Sequence, residues 1–74
     1  MNCKTKYSVI KQEMETQELG CYETFGILAQ CGDETQLISD VTTDISFAAE
    51  IADSFNRNQL SIIHFTEALE DILN

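Results

Sequence analysis

The chain changes period between Asp40 and Thr43. Before that point apolar residues come in short runs that alternate roughly every second position, and after it they recur every three to four residues to the C-terminus. Alternation sends successive side chains to opposite faces of a strand, whereas recurrence near the helical repeat lines one side of a helix. The expected fold class is therefore α+β: a three-stranded antiparallel meander followed by two antiparallel helices, βββαα, packed on one face of the sheet.

Within that frame the strands are expected at about 4–14, 21–31 and 35–41, and the helices at about 44–57 and 61–73. Thr16-Gln-Glu-Leu-Gly20 breaks the first strand from the second. Gly32-Asp33 suits a two-residue hairpin of type II′ or I′. The middle strand places Cys21, Phe25, Ile27, Ala29 and Cys31 on one face, the better core, and Tyr22, Gly26 and Leu28 on the other. Either Leu37 or Ile38 joins Leu28 there, since two consecutive aliphatics leave the register open. Tyr22 and Leu28 thus mark a partly apolar outer face, a candidate interaction surface.

Thr42, Thr43 and Asp44 offer oxygens to cap the first helix ahead of Ile45, Ala48, Ala49, Ile51, Ala52 and Phe55. Asn56-Arg57-Asn58-Gln59 ends it, with an asparagine suited to the left-handed conformation. Ser61 is the expected N-cap of the second helix, with Leu60 placed to staple onto Phe65. Ile62, Phe65, Ala68, Leu69, Ile72 and Leu73 form its apolar stripe.

Seventy-four residues make a single domain spanning 1–74. So small a domain buries only about 60% of the surface its unfolded chain exposes, which makes self-association a natural supplement to its stability. Thirteen acidic against four basic side chains give a formal charge of −9. That field repels phosphate backbones and anionic lipid, so neither nucleic acid nor membrane is an expected partner. Lys4, Lys6 and Lys11 read as the protective lysines of an edge strand. No apolar run approaches the ~20 residues that span a bilayer. Cys3, Cys21 and Cys31 are odd in number and lack C-x-x-C spacing, which fits a reducing, cytoplasmic setting. Cys3 and Cys31 fall at the same end of the expected sheet, and Cys21 and Cys31 read as small apolar fillers.

The residue types for catalysis are sparse. His64 is the chain's one histidine and so the first candidate for acid–base work, and Glu67 and Asp71 follow it on the polar side of the second helix. Together they are an incomplete set for a divalent cation. No glycine-flanked serine or cysteine elbow and no glycine-rich phosphate loop is present. No catalytic residue and no cofactor is expected, and the chain reads as a non-enzymatic protein-interaction module, self-associating as a homodimer. An acidic regulator that captures a basic protein partner is the alternative, and metal binding at His64 a remote one.

Phe25-Gly26-Ile27, Asp40 with its capping threonines, Asn56, Leu60-Ser61, His64 and Glu70-Asp71-Ile72-Leu73 together resemble a family of short proteins of unknown function from anaerobic, Gram-positive, spore-forming bacteria. The family has Tyr-Gly-Ile in the strand and Asp-Ile-Ser before the first helix. Here Phe25 and Val41-Thr42 stand at those places and keep the same size and capping role. The resemblance implies a cytoplasmic bacterial protein and carries over no catalytic residue.

Overall fold

A computed structural model of the chain describes residues 4–18 and 20–73. Strands β1 (Lys6–Thr16), β2 (Gly20–Cys31) and β3 (Glu34–Thr42) form one antiparallel sheet in the order β1-β2-β3, followed by helices α1 (Ile45–Arg57) and α2 (Phe65–Leu73). The arrangement is the βββαα one expected from the period change.

Tyr7 opposes Ala29 and Val9 opposes Ile27 across β1 and β2, and Ile27 opposes Ile38 across β2 and β3. These pairs share the face that the helices cover. Phe25, Ile27 and Ala29 of β2 are buried with Tyr7, with Ala48, Ile51, Ala52 and Phe55 of α1, and with Phe65 and Leu69 of α2. Tyr7, Phe55 and Phe65 meet in the middle of this core, the Tyr7 ring 5.2 Å from Phe55 and 5.3 Å from Phe65. Edge-to-face geometry between Tyr7 and Phe55 adds quadrupolar attraction to the burial of three large rings.

Register settles the second strand's neighbours. Leu28 opposes Leu37, so Leu37 takes the outer face and Ile38 the core. Gly32 has φ +61 and Asp33 does not have a positive φ, which makes the second hairpin type II′. Beyond Ile38 the β2–β3 ladder slips: Phe25 pairs with Thr42, leaving Ser39, Asp40 and Val41 opposite Gly26. This bulge turns the end of β3 toward α1, and Asp40 at φ +53 makes the bend.

Asp44 caps α1 as the sequence suggests, its Oδ1 accepting from the Ser46 and Phe47 amides at 2.9 and 3.4 Å. The far end differs from expectation, because the left-handed residue is Gln59, at φ +52, and no asparagine. Leu60 N–H donates to the Phe55 carbonyl and Gln59 N–H to that of Asn56, the paired bonds of a Schellman motif. Asn58 is held before that point, its Nδ2 donating to the Ser54 carbonyl at 2.9 Å.

The second helix is also shorter than 61–73. Residues Ile62–His64 form a 3-10 turn, Ser61 makes no side-chain capping bond, and the α-helix begins at Phe65. The tighter turn brings Ile62 into the core ahead of Phe65. Two further corrections concern packing. Cys21 is exposed because the distal half of the β1–β2 hairpin runs on past the helical layer, along the 47 Å long axis. Ile72 and Leu73, at the end of the apolar stripe, are 41% and 47% exposed. The Cys3–Cys31 proximity lies outside the described residues.

Candidate interaction surface

The helices leave the other face of the sheet uncovered. Continuous β1–β2 pairing with Tyr7 in the core sends Lys6, Ser8, Ile10, Gln12, Met14 and Thr16 of β1 outward, and with them Tyr22, Thr24, Gly26, Leu28 and Gln30 of β2. Thr35 and Leu37 continue the face on β3. Leu28 and Leu37 lie opposite one another, with Ser8 beside Leu28 and Ile10 one diagonal step along β1 opposite Gly26, Leu37 being 48% exposed. Lys6 at one end is the one ionised group on the β1 and β2 parts of this face, in a chain of which 23% of residues are charged. Lys11, Glu13, Glu15 and Glu23 point to the opposite side.

The polar groups of the outer face are turned inward on one another. Gln12 reaches across β2: its Nε2 donates to Ser39 Oγ at 3.2 Å, and its Oε1 accepts from the Asp40 amide at 3.0 Å. Gly26 lies beneath that bridge, where a Cβ would sit 2.7 Å from the Ile38 carbonyl oxygen and 2.8 Å from Gln12 Oε1. Nothing larger than glycine fits without displacing backbone. The Asp40 carboxylate accepts from the fully buried Thr24 hydroxyl at 2.7 Å and from the Tyr22 phenol at 3.0 Å. The Tyr22 phenol is raised above the ordinary tyrosine value, first by that hydrogen bond, then by lost hydration and by the Asp40 charge. The carboxylate thereby holds its own left-handed backbone and leaves the face with little hydrogen-bonding demand.

Tyr22 and Leu28, the two residues marked from sequence, do lie on this face, and both are half-buried. Leu28 belongs to its apolar strip. Tyr22 has a structural duty besides, since its phenol braces the bulge. Sequence reasoning missed Ile10 and Met14, whose side depends on β1–β2 register, and the Gln12–Gly26–Asp40 bridge, which depends on contacts across strands.

His64 and Glu67 are brought together, Nδ1 to Oε2 3.8 Å, with both side chains largely exposed. Asp71 does not join them: no group of three histidine, cysteine or carboxylate side chains converges among the described residues. A second apolar area lies between the helices, where Phe47, Ile51 and Ile72 line an open groove of about 400 Å³ bordered by Glu50, Asp53 and Arg57. Among the described residues no helix is long and apolar enough to cross a membrane.

Neither the curated proteins nor the solved structures include a match to the chain. One family model, described as a family of unknown function, DUF6514, matches residues 1–74. That match spans the strands, the bulge and both helices, and the chain belongs to the DUF6514 family.

Proposed function

We propose that this is a cytoplasmic, non-enzymatic protein-interaction module of anaerobic, Gram-positive, spore-forming bacteria, and that its contact surface is the uncovered sheet face. The supporting observation is the charge-poor composition of that face. The centres of protein interfaces are depleted of charge and enriched in aromatic side chains and methionine, and here the Met14–Tyr22 pair shares the face with Ile10, Leu28 and Leu37 in an otherwise strongly acidic protein. The exposed Cys21 thiol suits a reducing compartment.

The groove between the helices favours a second reading, capture of a basic partner. Its apolar floor of Phe47 and Ile72 meets Glu50 and Asp53 at the rim, a setting that receives an apolar side chain beside a cation. Salt separates the two. Immobilised protein is exposed to host extract at low and moderate ionic strength, beside its Leu37→Glu variant. A partner held at both salt levels and lost by Leu37→Glu supports the sheet face. A partner that salt releases and Leu37→Glu retains supports the groove.

A further inference from the structure

We infer that the occupant of the outer sheet face is a second copy of this chain, packed face to face with its hairpin tip pointing the opposite way. This rests on the outer face being the contact surface and names its partner.

Charge carries the argument. A protein of charge −9 ordinarily resists its own association, yet these faces meet with Asp40 as the carboxylate on each, its oxygens already accepting from Thr24 and Tyr22, because Glu13, Glu15 and Glu23 lie on the other side of the sheet. Sheets stacked this way sit about 10 Å apart with side chains interleaved. The edges offer no comparable contact. Asn56 occupies both outward backbone groups of Tyr7 on β1, and the bulge at Ser39 to Val41 breaks the line of β3.

Two closed two-fold arrangements place the same face on both sides, with the axis either along the strands or across them. The first stacks the two hairpin tips, where Glu13, Glu15, Glu18 and Glu23 are answered only by Lys11, itself bonded to Glu23 at 3.3 Å. The second sets each tip against the partner's other end, where Lys4 and Lys6 offset Asp33 and Glu34. With the axis crossing near Ile10 and Gly26, equal spacing along β1 brings Lys4 and Lys6 of one copy level with Met14 to Thr16 of the other. Repulsion disfavours the first arrangement and attraction favours the second.

Area sets the strength. Three strands spaced about 4.8 Å apart, with nine to twelve residues rising about 3.3 Å each, project roughly 450 Å² per copy, on the order of 1,000 Å² in total. This is the low end for specific interfaces, so the dimer forms and dissociates with concentration.

Sedimentation equilibrium of the full chain from micromolar to millimolar concentration tests the proposal. The expected result is a reversible dimer whose dissociation constant rises at least about tenfold in Leu37→Glu, because a carboxylate then enters the apolar contact. Lys6→Glu, which sets a carboxylate on this face beside the partner's acidic tip, should weaken it by about threefold. A spin label on Cys21, with Cys3 and Cys31 replaced by serine, should show a separation beyond about 30 Å, whereas stacked tips hold the labels within about 20 Å. A chain monomeric throughout that still releases a different protein on Leu37→Glu overturns the second-copy inference and leaves the interaction reading standing. A dimer indifferent to Leu37→Glu overturns both. Tightening by Lys6→Glu, or labels within about 20 Å, overturns the opposed arrangement.

Discussion

Asn56 closes the edge of the sheet at Tyr7. Its Nδ2 donates to the Tyr7 carbonyl at 2.9 Å and its Oδ1 accepts from the Tyr7 amide at 2.8 Å, so one carboxamide on α1 takes the place of the next strand. The Tyr7 side chain turns inward and donates from its hydroxyl to the Leu60 carbonyl at 2.8 Å, just past the end of the same helix. A single residue of β1 is thereby tied to both α1 and the connection that follows it. Asn56→Ala strips two partners at once and should cost about 1–3 kcal/mol. Denaturant melts check the cost, and faster amide exchange at Tyr7 checks its location.

Phe65 and His64 are adjacent and should respond oppositely to truncation. Phe65 is fully buried against Tyr7 and Phe55, so Phe65→Ala should cost about 3–5 kcal/mol, enough to unfold much of a domain this small. The exposed His64 side chain faces the exposed Glu67, and His64→Ala should stay within about 0.5 kcal/mol of the parent. Chemical denaturation of both variants gives the ranking directly.

Gln59 carries backbone strain that glycine would relieve. Its φ of +52 lies in the left-handed region, and its side chain is exposed, so nothing is lost from the core on substitution. Gln59→Gly should raise stability by about 0.5–1 kcal/mol while leaving the Leu60 to Phe55 hydrogen bond in place. A higher thermal midpoint with an unchanged far-ultraviolet spectrum is the expected outcome.

The two tyrosines should ionise late, for different reasons. Tyr22 is raised chiefly by its hydrogen bond to Asp40, and Tyr7 chiefly by burial, then by Cys31, with a hydrogen bond from Thr5 partly offsetting both. Each folded value lies above the unfolded one, so the associated stability is complete below the ordinary tyrosine range and is lost as pH rises through the raised values. In Asp40→Asn the Tyr22 phenol should return toward its ordinary value while Tyr7 stays raised. Ultraviolet titration of tyrosinate, with Tyr7 and Tyr22 told apart by Tyr22→Phe, measures both.

The parts legible in the sequence were those governed by local chemistry. Alternation marked the strands, Gly32-Asp33 marked a tight turn, and Asp44 before an apolar helical stripe marked the start of α1, because each signal depends on residues within a few positions of one another. Tyr22 and Leu28 reached the outer face by strand alternation alone. Whether Leu37 or Ile38 would join them required the β2–β3 register, a long-range pairing. Cys21 and the distal hairpin depended on where the helical layer stops, and Gln59 took the left-handed position because Leu60 had to reach the core. The Gln12 bridge over Gly26, the Asp40 bend and the Asn56 clamp join residues up to 49 positions apart. The sequence by itself determined which segments become strand or helix and which of their sides are apolar. Tertiary structure alone decided which apolar side is covered and which is left uncovered, because that choice rests on packing between segments and not within them.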